Sequence, residues 1–164
     1  MSADAARLSL ARASALHALD RAEALLAIAE ARGLLGARVH PGMWDLLAQV
    51  GCVAGFAERA VLPLAGLPRP EGGLPATAEE ARARLGAARA RVLAAQGAPS
   101  GPVAHRAGEA DLVQEPEDYA ARFALPNLWF HLSMAYAALR AAGAPVGKAE
   151  FDGLHAYPAG ASEE

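Results

Sequence analysis

Cysteine is almost missing from this sequence, since Cys52 is the single one among 164 residues. An intramolecular disulfide is therefore excluded, and stability has to come from an apolar core, for which one domain of this length is large enough. No basic residue lies close to Cys52 in the sequence to lower the pKa of its thiol. We therefore expect an inert thiol, buried or at an interface, and not a nucleophile.

An excess of either charge is also missing: 15 Lys and Arg residues oppose 18 Asp and Glu residues, for a formal net charge of −3. The chain thus has no extended basic field of the kind that attracts nucleic acid or anionic lipid. Its first residues do not have the basic-then-apolar layout of a signal peptide. We therefore expect a cytoplasmic protein with no nucleic-acid or membrane partner.

One apolar stretch, residues 123–142, approaches membrane-spanning length. It contains five residues that make insertion into lipid costly, namely Pro126, Asn127, His131, Ser133 and Arg140. This segment is therefore predicted to be a buried core helix.

The sequence does have alanine- and leucine-rich stretches of helical periodicity, separated by glycine and proline. The second of these begins at His40 and Pro41, because proline suits the first helical turn. The third begins at Thr77, whose hydroxyl is expected to form a capping box with Glu80. The fold class is therefore all-α, with helices predicted over residues 3–32, 40–61, 77–96 and 116–143.

The connections carry weaker signals. Two short runs on either side of Ala107-Gly108 predict a small β-hairpin before the fourth helix, with His105 exposed on it. Pro126 lies about three turns inside the fourth helix and predicts a kink there. Residues 1–155 are expected to form a single domain, and residues 156–164 a disordered tail.

Two polar side chains fall on the apolar face of the fourth helix. At 100° per residue, Asn127 and His131 lie within about 40° of each other, among mostly small apolar residues. Two interpretations are open. The pair either forms a satisfied polar network that fixes helix packing, or it lines a pocket. In the second case His131 is a catalytic proton donor or acceptor, and Asn127 orients a substrate or the imidazole.

The segment around this pair carries a recognisable motif, L-P-N-x-x-F-H followed by A-Y, L-R, G and G-K. It resembles an uncharacterised domain-of-unknown-function family within the DinB/YfiT-like superfamily of metalloenzymes. The resemblance implies a DinB-like four-helix bundle with a long crossover connection, commonly found as a dimer. The matching residues are Leu125, Pro126, Asn127, Phe130, His131, Ala135, Tyr136, Leu139, Arg140, Gly143, Gly147 and Lys148.

The first helix agrees with a dimer because it has two apolar stripes where a simple surface helix needs one. One stripe can face the core and the other a second subunit. The second stripe consists of Leu10, Ala13, His17, Ala24 and Ile28.

The resemblance also implies a divalent metal held by three histidines, one from the second helix and two, a turn apart, from the fourth. This chain departs from that pattern. Asn127 and Ala135 stand four residues before and after His131, where a second histidine is required. The inner face of the second helix is interpreted as purely hydrophobic, with Gln49 and Glu58 flanking it. No cofactor is therefore expected, and zinc, nickel or manganese is the alternative.

Three hypotheses for function follow. The first is a dimeric binding or structural protein with a degenerate metal site, in which Asn127 and His131 line the core or a pocket for a small-molecule ligand. The alternative is a divalent-metal-dependent transferase or hydrolase with a non-standard ligand set that includes His131. The third is an enzyme that uses His131 without a metal.

Overall fold

The computed structural model describes residues 2–158, and most of this range is helical. Residues 159–164, the greater part of the predicted disordered tail, lie outside the described residues, and residues 156–158 have no regular secondary structure. The elements are α1 Ala3–Ala31, α2 Leu46–Val61, a 3₁₀ helix Pro63–Ala65, α3 Ala78–Ala94, β1 Val103–Ala107, β2 Ala110–Gln114, α4 Pro116–Asp118, a π-helical turn Tyr119–Ala124, α5 Leu125–Ala141 and α6 Lys148–Asp152.

The core is formed where the four long helices meet. Helix α2 packs against α1, α3 and α5, and α1 also packs against α3 and α5. Alanine is the commonest residue of the buried core, so the helix backbones can approach one another closely. The mostly helical fold predicted from the sequence is confirmed.

Helix α1 has the extent predicted from the missing glycine and proline. Its first stripe, which includes Leu8, Leu19 and Leu26, is buried in the core. The second stripe is covered only in part: Leu10 is 65% exposed, whereas His17 is half-buried and Ile28 packs against the core. The stripe is therefore most open near the start of the helix.

The predicted start of α2 at His40 and Pro41 is wrong, because the helix begins at Leu46. The residues before it form a turn in which the Gly42 amide donates to His40 Nδ1 at 3.1 Å. Asp45 is the N-cap, and its carboxylate accepts from the Ala48 amide at 3.0 Å. This carboxylate accepts from an amide of the first turn that has no partner within the helix. Pro41 is compatible with a first turn but has no side-chain acceptor for such an amide.

Helix α3 begins as predicted, with the Glu80 amide donating to Thr77 Oγ1 at 3.1 Å. The Glu80 carboxylate accepts from the amide of Ala76 at 2.7 Å and not from that of Thr77. The predicted end at Gln96 is two residues too far. Two arginines on the solvated face of α3 form ion pairs with α1, Arg82 with Glu30 and Arg89 with Asp20.

Two glycines fix the crossing between the 3₁₀ helix and the end of α3. Gly66 has a φ of +73° and Gly97 a φ of +121°. A Cβ on Gly66 would lie 2.6 Å from the Ala98 carbonyl oxygen, and a Cβ on Gly97 would lie 2.6 Å from that of Ala65. The two backbones therefore approach at a distance that no side chain allows.

The predicted hairpin is confirmed, with β1 and β2 antiparallel and Ala107 opposite Ala110. The expectation that His105 is exposed is wrong. Its ring is half-buried, with its centroid 4.1 Å from that of Phe123 and 4.9 Å from that of Tyr119. The hairpin folds back onto the fourth helical segment, so a residue in the middle of β1 becomes covered.

The fourth predicted helix is divided into α4, the π-helical turn and α5. In the π-helical turn the Leu125 amide donates to the Ala120 carbonyl, five residues back. Pro126, which has no amide hydrogen, follows directly. The irregularity predicted from Pro126 therefore takes the form of a widened turn before the proline, and the kink itself stays a prediction.

One helical stretch, residues 46–65, is long and apolar enough to cross a membrane by length and composition, with a mean hydropathy of 1.3. Of its most apolar window, 72% is buried inside the protein. Core helices of water-soluble proteins often meet the same criteria, so the stretch is weak evidence for a membrane span.

Candidate functional site

His131 lies on α5 and is 8% exposed. Its Nδ1 is 2.8 Å from Oε1 of Gln49, a residue of α2 that is 3% exposed. The interpretation of the inner face of α2 as purely hydrophobic is therefore wrong, and Gln49 is the residue that sequence reasoning missed. A signal was available, because Gln49 follows Leu46 by three residues and precedes Val53 by four, which places it on the buried face.

Aromatic rings surround the imidazole. The rings of Trp44 and Phe56 are nearly parallel to it, with centroids at 6.1 and 5.2 Å. The Phe130 ring meets it edge-on at 5.2 Å. Trp44 is 54% exposed and Phe130 50% exposed, so the imidazole lies below an aromatic rim that reaches the surface.

The hydrogen bond determines which nitrogen of His131 carries the proton. Since a carbonyl oxygen can only accept, Nδ1 donates to Gln49 Oε1, and in the neutral ring Nε2 keeps its lone pair. Nε2 has no hydrogen-bond partner among residues 2–158 and is not closed off from solvent. Burial lowers the pKa of His131 from its usual 6.5, which favours the neutral ring. The group is therefore a fixed hydrogen-bond acceptor.

Asn127 is held separately from His131. Its Nδ2 donates to the carbonyl oxygen of Phe123, four residues back, at 2.7 Å. The imidazole is therefore bonded to Gln49 and not to Asn127, and a role of Asn127 in orienting a substrate stays a prediction. Asn127 lines a shallow cavity of about 460 Å³ that also includes Arg59.

The other residues considered from the sequence lie apart from this pair. Burial raises the pKa of the half-buried Cys52 thiol to about 11, so the thiol is protonated near neutral pH, in agreement with an inert role. His17 contacts Trp129 with ring centroids 6.1 Å apart. The ring of Tyr136 packs against that of Phe151, with centroids 5.6 Å apart, so that α6 contacts α5 through this pair.

Comparison with known proteins gives two findings. A family described as "Domain of unknown function (DUF1993)" matches residues 6–152. The crystal structure of a DinB family member protein from Shewanella denitrificans is 24% identical, with a TM-score of 0.78 over 95% of this chain and 97% of that one. At this identity the likeness shows the fold. No protein of curated function matches the sequence.

Proposed function

Because this chain belongs to the DUF1993 family, whose function is unknown, we propose a function from the site itself: a dimeric, DinB-like four-helix bundle that binds a small molecule without a metal. The observation that carries the proposal is the 2.8 Å hydrogen bond between His131 Nδ1 and Gln49 Oε1. It joins α2 to α5 and leaves one imidazole nitrogen available as an acceptor beneath the aromatic rim.

The residues present do not fit the three-histidine metal site that the DinB-like resemblance implies. Across residues 2–158, no three His, Cys, Asp or Glu side chains are grouped so as to hold a metal ion. The amide of Asn127 is engaged by Phe123, and α2 presents the amide of Gln49 to His131 where an imidazole ligand is needed. A single imidazole does not form a tight transition-metal site. The proposal therefore contains no metal step.

The first prediction concerns metal content. Freshly purified protein is expected to contain zinc, nickel and manganese well below stoichiometric amounts, measured by elemental analysis. A chelator is expected to leave its melting temperature unchanged, because no metal contributes to folding. Stoichiometric metal that disappears in His131→Ala would contradict the proposal and support the alternative, a divalent-metal-dependent transferase or hydrolase.

The dimer is supported by the exposed part of the second stripe of α1, at Leu10. Leu10, 65% exposed, lines an apolar groove of about 430 Å³ together with Ala121 and Leu125. Exposed apolar surface of this kind is typical of interaction sites. The resemblance to DinB-like proteins implies a homodimer, and a second copy of this chain is therefore the proposed occupant.

The second prediction tests this surface. Leu10→Glu is expected to convert the dimer to a monomer, since it places a charge in an apolar interface, as measured by light scattering coupled to size exclusion. Leu93→Glu is the matched control, because Leu93 is 55% exposed on α3, and it is expected to stay dimeric. A monomeric unmodified protein, or equal behaviour of the two variants, would contradict the proposed interface.

A further inference from the structure

A second cavity, of about 290 Å³, lies between β1 and the segment that follows the 3₁₀ helix. Its lining brings together residues far apart in the chain: Arg59 from α2, Arg69 from the connection to α3, Arg106 from β1 and Tyr119 from the π-helical turn. Three of these four carry a guanidinium group. Their grouping is a product of the fold, since no basic run in the sequence predicts it.

Two of the three arginines lack an acidic partner. Among residues 2–158, no carboxylate lies within 4.0 Å of the guanidinium of Arg59 or Arg69, whereas Arg106 pairs with Glu109 at 3.0 Å. Burial and, to a smaller degree, the positive charge of Arg69 lower the pKa of Arg59. The fold therefore places two guanidinium groups without a carboxylate partner on one cavity, and their positive charge favours an anion there.

Arg59 is positioned by its surroundings. Its guanidinium carbon lies 5.0 Å from the centre of the Phe56 ring, and this contact restrains the guanidinium. The Tyr119 hydroxyl donates to the backbone carbonyl oxygen of Arg59 at 2.9 Å and holds the main chain. A fixed guanidinium loses less conformational entropy when it binds an oxyanion than a freely rotating one.

His105 lines the same cavity. Its Nε2 is 2.6 Å from Gln114 Oε1, while Nδ1 is buried with no hydrogen-bond partner in the part of the chain described. Because an amide oxygen only accepts, Nε2 is the donor and Nδ1 of the neutral ring is an acceptor. His105 therefore forms part of the cavity wall, and the arginines supply the donors for an anion.

We propose that this cavity binds a small dianion of the phosphate-monoester class, with the guanidinium groups of Arg59 and Arg69 on its phosphoryl oxygens. The planar arginine fork matches phosphate oxygens in pairs. Pro63 and Leu67 form apolar wall on the same cavity and accommodate the organic group of the ester. The site is separate from the Gln49–His131 pair and does not depend on the proposed function.

The third prediction is measured by isothermal titration calorimetry of the full chain at fixed ionic strength. Phenyl phosphate is expected to bind saturably, and more tightly than succinate, a dicarboxylate with the same charge. Arg69→Gln and Arg59→Lys are expected to raise the Kd by about tenfold or more. The lysine variant keeps the charge and removes the fork. Arg122→Gln, which removes an exposed charge on the π-helical turn, is the control and is expected to change the Kd less than about twofold.

Circular dichroism melts of all three variants establish that each one is folded. Absence of saturable binding to the unmodified protein overturns the proposal, as does binding that both cavity variants retain. Succinate bound as tightly as phenyl phosphate overturns the assignment to phosphate monoesters. Loss of binding in the two cavity variants but not in Arg122→Gln supports it.

Discussion

His131→Ala is expected to lower the free energy of unfolding by about 3 kcal/mol. The substitution removes a buried ring that contacts Trp44, Phe56 and Phe130, and it leaves the amide of Gln49 buried without its partner. Both losses are present in the folded state alone, since in the unfolded chain water solvates the amide and the rings. Urea denaturation followed by circular dichroism measures the difference.

A double-mutant cycle separates the hydrogen bond from the packing. Gln49→Leu alone leaves the Nδ1 hydrogen buried and unpaired, whereas the pair His131→Leu and Gln49→Leu leaves neither partner behind. The double variant is expected to lose clearly less stability than the two single leucine variants added together. His17→Ala is the matched control, because His17 contacts a tryptophan ring but is only half-buried. This variant is expected to lower the free energy of unfolding by about 1 kcal/mol. Additive losses in the cycle would contradict the role given to the bond.

The same imidazole makes stability depend on pH. Burial lowers the folded-state pKa of His131 below its usual 6.5. At pH values between the folded-state pKa and 6.5, the unfolded chain therefore binds more protons than the folded chain. The stability contributed by the neutral imidazole is fully present above pH 6.5 and is lost as the pH falls through the folded-state pKa. Denaturation between pH 7.5 and 4.5, an interval of about 3 units chosen to span the ordinary histidine range, is expected to show this loss, and His131→Leu to reduce it.

Gly97→Ala is expected to lower the free energy of unfolding by about 3 kcal/mol. A φ of +121° lies in a region that an L-residue rarely adopts, and the new Cβ would be 2.6 Å from the Ala65 carbonyl oxygen. Neither backbone can yield without separating the 3₁₀ helix from the end of α3. Thermal and urea denaturation measure the effect.

Gly86→Ala is the matched control for this glycine. Gly86 lies inside α3, its φ is negative, and a Cβ there meets no atom within 4 Å. Alanine is favoured over glycine in a helix interior, so a gain of about 0.5–1 kcal/mol is expected. Glycine-to-alanine substitutions eleven positions apart are therefore expected to change stability in opposite directions. Equal losses of stability in the two variants would show that the backbone crossing is not the cause of the loss at Gly97.

The long helices could be predicted because their signals are local. The 29 residues of α1 contain no glycine or proline, which favours one continuous helix. Thr77 caps α3 by accepting from an amide only three residues away. The start of α2 could not be predicted in this way. Pro41 and Asp45 are both acceptable helix starts, and the Leu46 amide is bonded to the Ala37 carbonyl at 2.8 Å in the preceding turn, a contact that composition does not specify.

Of the two residues of the candidate site, only His131 was predicted from the sequence. Periodicity places His131 on the inner face of its helix, and it is buried there. The spacing of Gln49 places it on the buried face of α2 as well, but spacing does not say which side chain it contacts, because a long polar side chain can also reach towards solvent. Gln49 turns inward since α2 packs directly on α5. The arginine cavity was still less predictable, because the fold alone brings Arg59 and Arg69 together.

The π-helical turn sets the rotational phase between the two ends of the fourth helical segment. A π-helical turn contains one residue more than an α-helical turn. The residues before it are therefore rotated about the helix axis by about 100° relative to their positions in a continuous α-helix. Deleting one residue within Tyr119–Ala124 would rotate Tyr119 out of the core, where it is now 1% exposed. It would also remove the surface on which His105 rests. The π-helical turn therefore sets where Tyr119 on the cavity wall lies relative to His131 on the same helical segment.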